Sequence, residues 1–425
     1  MNVYIRKDTS YYFPIIYILK VIEKNREIKF DFLDNPDDSK IIWDHENENS
    51  QVIAVDFYNC FNSGHESLKH KKVFTSSPYI LDNNENIDAF ATIFYMINSL
   101  QELEPDDADL DDLGRFKYSS SYQFRFNNVN DNLVETIIND FCETHSIPGK
   151  KNRSVFFISH DIDNLYGSIL EDGFWALKQM KIGTILNLII LEMTKNPHWR
   201  NIDKIIKINN SYDIVSTFFW LVNKGKSKNG IVNADYNLEN ENDLFEMVEE
   251  SNSVNGLHKS AFDMGIDQEL KKGNVGTSFN RYHYLKFLPH EDYKNISESS
   301  LKFDSSLGFA EHCGFRNSYG KSFQPFDIKN NKPYNFIETP LNCMDRTFHK
   351  YMDVNTSDIG DLIINMYENN PTNCDISLLW HNNYFTDYKY KNFLKEYKKV
   401  IAFIYESKIQ CVTPETLVKK NYLSW

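Results

Sequence analysis

The sequence predicts an α/β fold: a (β/α) barrel or parallel sheet over residues 151–425, preceded by a smaller α+β domain over 1–150. Three observations carry this. Short β-branched and aromatic runs alternate with helix-spaced segments from Val155 to Tyr405, the pattern of parallel strands joined by helices. Strand after strand in that region ends in residues suited to chemistry. The polar stretch 147–153, with Pro148 and Gly149, immediately precedes the first of these strands and reads as a linker. The length of 425 residues, 41% hydrophobic with 31 Phe and 25 Tyr, fits two domains with substantial cores.

In the first unit, 12–23 has helical spacing, 28–32 and 51–55 have strand-like runs, and 88–103 reads as a buried helix with Asp88 at its cap. An acidic loop, 104–113, follows. No titratable cluster with ligand-like spacing occurs here, so a scaffold or substrate-holding role is expected. In the second unit, 155–158 (Val-Phe-Phe-Ile) reads as a fully buried strand. Helices are expected over 167–181 and 182–195, then a strand at 215–221, a helix at 244–251 and a strand at 254–258. A helix over 261–272 and strands at 301–304 and 336–341 come next. A helix at 358–367, a strand at 376–381 and a helix at 388–405 complete the alternation.

Net charge is −14, which argues against a nucleic acid or an anionic membrane as partner. The six cysteines are far apart and lack CxxC spacing, which suggests reduced, mostly buried thiols. The start, Met-Asn-Val-Tyr-Ile-Arg-Lys, has no signal-peptide pattern, and the longest apolar run elsewhere, 182–193, is too short to span a bilayer. A cytoplasmic location without a transmembrane segment is the expectation.

The chemistry gathers at the strand ends. Asp161 and Asp163 end the first strand; being two apart, they face one way while Ile162 faces the other. Later strands end in His258, Asp304 and His381. At the carboxyl ends of barrel strands such side chains converge. Carboxylate plus imidazole is the ligand set of Zn²⁺ or a similar first-row divalent ion, and such sites hydrolyse amides or esters with the help of an acid and a base.

These residues also carry a resemblance. The stretch Ser159-His160-Asp161-Ile162-Asp163 resembles the first motif of the NodB-homology polysaccharide deacetylases, the carbohydrate esterase family 4 type. Thr217-Phe218-Phe219 resembles the strand that follows it. Gly256-Leu257-His258-Lys259-Ser260 resembles the second motif, Asn280 to Leu285 the Arg-bearing third, Phe303 to Leu307 an Asp-Ser-Ser motif, and Leu378-Leu379-Trp380-His381 the Leu-x-His motif. The resemblance covers about 150–410. It implies Asp161 as catalytic base, Asp163 and His258 as metal ligands, and Arg281 paired with the base. It further implies Asp304 as orienter of the catalytic His, and His381 as general acid. The first unit resembles the amino-terminal domain fused to deacetylase-like proteins of bacterial surface-polysaccharide clusters. The family's second motif supplies two His four residues apart, but here Phe262 stands four after His258. His283, in place of the family's Pro in the Arg-bearing motif, is the favoured third ligand, with His160 ranked lower.

Ser260, Arg316 and Trp380 are candidates for contacts with a sugar, with core packing the better reading for Trp380. Glu338, Asp345 and Arg346 are candidates either for the cleft wall or for structural ion pairs. The function implied is metal-dependent removal of an N-acetyl or related acyl group from a sugar in a glycan or glycan precursor, with Zn first and Co, Ni or Mn as alternatives. The competing reading is a degenerate member that binds glycan or a biosynthetic partner without turnover.

Overall fold

The computed structural model describes residues 1–62, 65–386 and 388–425. Strands β1 (Asn2–Ile5), β2 (Asp31–Leu33) and β3 (Ile41–Trp43) form a parallel sheet in the order β2-β1-β3. The helix Tyr12–Arg26 crosses from β1 to β2 and carries Pro14 in its first turn, where no intrahelical partner for its nitrogen is needed. The strand expected at 28–32 is reduced to β2. That expected at 51–55 is absent: the Ala54 amide donates to Asp88 Oδ2 (2.7 Å), and the chain turns into the helix Val55–Asn59. Asp88 also caps the helix Ala89–Ile97 through the Ala91 amide (2.8 Å).

The rest of the chain is built on one eight-stranded sheet. Its strands are β4 (Val155–Ile162), β5 (Thr217–Trp220), β6 (Val254–Lys259), β7 (Phe279–Tyr282) and β8 (Phe303–Asp304). After the antiparallel pair β9 (Phe326–Asp327) and β10 (Lys332–Pro333) come β11 (Ile337–Glu338), β12 (Cys343–Met344) and β13 (Asp375–Leu379). Every neighbouring pair is parallel, in the order β11-β8-β7-β6-β5-β4-β13-β12. The two edge strands, β11 and β12, are consecutive in sequence. A flat sheet would hold them about 34 Å apart at strand spacing, yet the chain from Glu338 to Cys343 reaches about 18 Å at most. The sheet must therefore curl until its edges approach, giving a distorted (β/α) barrel.

Alternation along β4 sorts its two faces. Val155 and Phe157 join Phe219, Phe279, Phe303, Val412 and Leu417 in an interior aromatic plug. Phe156, Ile158 and Ile162 join the larger core shared with the surrounding helices. The inward positions thus run Val155, Phe157, Ser159, Asp161, from apolar plug to polar mouth, as expected at the carboxyl end of barrel strands. That larger core also includes residues of the first 145, such as Tyr17 and Phe94, whose rings pack on Phe326. A buried ion pair, Arg316 with Glu102, joins the same two regions. Cys142, Cys313, Cys343 and Cys374 are buried thiols outside any disulfide.

Candidate active site

The end of β4 brings Asp161 and Asp163 to the barrel mouth. The next strands add His258 and Arg281, which lie opposite one another in the β6–β7 register. Past β7 the chain turns sharply: Tyr284 (φ 60°) and Leu285 (φ 53°) both adopt left-handed backbone, unusual for residues with side chains and frequent at functional sites. The turn swings His283 toward the pocket, and Tyr284 stacks on its ring at 3.9 Å.

Asp163, His258 and His283 meet. One ligand atom from each lies within 4.8 Å of the others. His258 Nε2 and His283 Nε2 stand 3.3 and 3.5 Å from the same oxygen, Asp163 Oδ1. That oxygen is buried without a well-aligned hydrogen bond, as is His283 Nδ1. His258 Nδ1 lies 2.9 Å from the Arg281 carbonyl, which fixes that nitrogen as the N–H and leaves Nε2 its lone pair. A buried carboxylate oxygen facing two imidazole nitrogens, with one tautomer fixed from behind, suits a divalent cation.

Asp161 sits beside this group. Arg281 Nη1 donates to Asp161 Oδ1 (2.9 Å) and to Ser159 Oγ (2.7 Å), while Nε and Nη2 reach the Ser305 carbonyl and hydroxyl. Arg281 is completely buried and lies over the Phe219 ring at 4.7 Å. That ring fits because Gly256 is its register partner; an added Cβ there would come within 2.7 Å of it.

On the other side His381 Nε2 is 3.8 Å from Asp163 Oδ2. Its Nδ1 bonds Asp345 Oδ1 at 2.7 Å, and its backbone amide donates to Asp345 Oδ2. Burial opposes a charge on His381, but Asp345 outweighs it, and the imidazole is raised to about 9. Burial pushes His283 down to about 3, which keeps it neutral. Burial also opposes charge on Asp163, but the surrounding histidines win and hold its carboxyl far below the usual range. His258 is raised: burial works against its charge, and the carboxylates of Asp161 and Asp163 overcome it.

The expected orienter of His381, Asp304, is not there. Asp304 accepts from Asn280 Nδ2 (2.6 Å) and the Ser306 amide (2.9 Å), and it pairs in register with Glu338. His381 is bonded instead by Asp345, which follows β12, the strand paired with β13, so the role of holding the imidazole falls to Asp345. The three residues expected to touch sugar are likewise elsewhere. Ser260 Oγ donates to Glu269 (2.6 Å) and is buried. Arg316 is spent on Glu102 and the Gly308 carbonyl. Trp380 is completely buried between Phe393 and Tyr397. His160 faces the outer core, with Nδ1 2.7 Å from the Trp380 carbonyl. Arg346 lines the pocket, as do Tyr284, Leu285 and Tyr351; Leu113 and Arg115 reach it from the first 145 residues. Its cavity is about 110 Å³.

Residues 1–145 match the model of a family of unknown function, DUF7033. No curated protein matches the chain. Among solved structures, the chain is similar to a candidate polysaccharide deacetylase from Mycobacterium smegmatis: 11% identity, TM-score 0.39, covering 62% of this chain and 89% of the other. It is also similar to a family 4 carbohydrate esterase from Bacillus anthracis, at 10% identity, TM-score 0.27, and coverage of 64% and 84%. A CE4 family pseudoenzyme from the same organism matches at 10% identity and TM-score 0.27, with 65% and 69% covered.

Proposed function

We propose that the protein is a metal-dependent hydrolase that removes an N-acetyl or related acyl group from a sugar in a glycan or glycan precursor. The observation that carries this reading is the convergence of Asp163, His258 and His283 between an Arg-held carboxylate and an Asp-held imidazole. Asp163, His258 and His283 would hold the cation, zinc first, with cobalt, nickel or manganese as alternatives. When bound, such an ion polarises an acyl carbonyl and makes water more acidic.

The chain's own groups supply the proton transfers. Asp161, with Oδ1 held by Arg281, offers Oδ2 on the side of His258 (3.5 Å) to take a proton from the attacking water. His381 enters the reaction charged, because Asp345 raises it to about 9, and gives its proton to the departing nitrogen. An amine is a poor leaving group without that proton. The pairing of an Arg-held carboxyl group with a protonated imidazole across one small cavity therefore suits amide cleavage.

One feature favours the second reading, binding without turnover. Phe262 stands where a further ligand is expected, and its backbone carbonyl is occupied by Lys259 Nζ (3.4 Å). Metal analysis of protein purified without chelator separates the two. The hydrolase requires close to one metal per chain, lost in His283→Ala, together with release of acetate from N-acetylated amino sugars. Metal below about a tenth per chain after incubation with excess zinc would remove it.

A further inference from the structure

The first 145 residues reach the pocket through the segment that follows the acidic loop. Leu113 and Arg115 line the 110 Å³ cavity. Arg115 is clamped by Asp111 (2.8 Å) and donates to the Tyr284 carbonyl (2.9 Å), so it braces the residue that stacks on His283. Three residues further on, Tyr118 helps to line a second, more open cavity of about 550 Å³, together with Ser119, Glu311, His312, Tyr351 and Asp353. Tyr351 belongs to both linings, so the two cavities adjoin. The Tyr118 and His312 rings lie 4.5 Å apart and tilted by 32°, and Tyr351 is 48% exposed.

We propose that this second cavity is a binding site for the sugar units flanking the one that is deacylated, and that the DUF7033-matching segment contributes residues 113–119 as one wall of a cleft for an oligosaccharide. The proposal rests on the hydrolase reading for the identity of the neighbouring pocket. The chemistry of the lining selects the ligand class. The exposed Tyr351 ring suits the apolar face of a pyranose, beside the packed Tyr118–His312 pair, with Ser119, Glu311 and Asp353 as polar groups that set orientation. Glu311 and Asp353 accept hydrogen bonds from hydroxyls or an amine. Among the described residues that line it there is no Lys or Arg, so phosphates and uronates are disfavoured and neutral or amine-bearing sugars favoured. The Glu311 carboxylate is already placed, because its Oε2 accepts the Tyr118 amide at 2.7 Å and so locks the two walls together.

The test is calorimetric binding of N-acetylglucosamine and of its β-1,4-linked tetramer to the metal-loaded full chain. Two variants are compared with the native protein: Ser119→Trp, which fills the cavity from an exposed position, and Tyr351→Ala. Thermal melts confirm that each folds. The native protein should bind the tetramer at least about tenfold tighter than the monomer, and both variants should reduce that advantage to about twofold. Equal affinity for the two lengths, binding of neither, or an advantage that survives both variants overturns the subsite. Acetate release is read separately. A length preference in binding without hydrolysis would leave the subsite standing and remove the hydrolase reading; hydrolysis without length preference would do the reverse.

Discussion

Replacing Asp345 by Asn changes one charge in a nearly isosteric frame and isolates what the carboxylate does for His381. The imidazole is raised from 6.5 to about 9, with burial pulling the other way and Asp345 first among the groups that overcome it. That difference corresponds to ~3 kcal/mol favouring the protonated ring. The Asp345→Asn change would remove most of it. Because each ~1.4 kcal/mol is a factor of ten, the protonated fraction at pH 8 should fall from about nine-tenths to a few hundredths, a loss of about ten- to thirtyfold. Hydrolysis of an N-acetyl sugar, whose amine must be protonated to depart, should lose about ten- to thirtyfold in kcat at pH 8. The acetate ester of a nitrophenol, whose anion leaves unaided, should lose no more than about threefold. Metal content should be unchanged. Equal losses on the two substrates, or none on the amide, would refute the assignment of His381 as acid and Asp345 as its holder.

Asp161→Asn should abolish turnover, by about 10³-fold or more, with metal retained; an active variant would remove Asp161 as the base. The Asp304–Glu338 pair should shape the pH dependence of stability. Burial raises Asp304 to about 6 and holds Glu338 well above the usual carboxylate range, so the stabilising protons are held fully below the unfolded values and given up as pH climbs through the folded ones. Glu338→Gln, a permanent stand-in for the protonated form, should therefore gain about 1–3 kcal/mol over the native protein at pH 8 and little at pH 4.5, as read by urea denaturation. Equal gains at both pH values would refute the raised carboxyls as the source of the effect. Arg316→Met leaves Glu102 charged and uncompensated at a site where both partners are buried, and should cost about 3–5 kcal/mol in the same assay. A loss under about 1 kcal/mol would show that the two regions are held together without that pair.

The sequence revealed most where local pattern and chemistry coincide. Val155 to Asp163 announces its strand by β-branched and aromatic density, and period-two alternation puts both Asp side chains on one face; the structure has them there. What was not legible is long-range register. The strand Phe279–Tyr282 is four residues containing Asn and Arg, with nothing local to mark it, though Arg281 lies on it. Asp345 follows a two-residue edge strand whose partner is β13, and only that pairing, Met344 beside Leu379, sets it next to His381. Asp304 ends a strand as the other site residues do, but strand order places it beside Asn280 and Glu338, out of reach of the imidazole. Arg316 and Trp380 have the residue types of sugar contacts, and burial alone distinguishes them from such contacts.

The strand order also bears on how the protein is made. Strand β13 lies between β4 and β12, yet it is the last strand of the sheet to be synthesised. Until it emerges, the growing chain lacks the partner for that edge of β4, which carries the apolar residues Phe156, Phe157 and Ile158. Such an edge is a pairing site for the wrong strand, and the non-local contact that closes it is slow to form. A ribosome-bound chain stalled before Asp375 should therefore need chaperone cover, and the imidazole of His381 joins the pocket only when the whole of the sheet has left the ribosome.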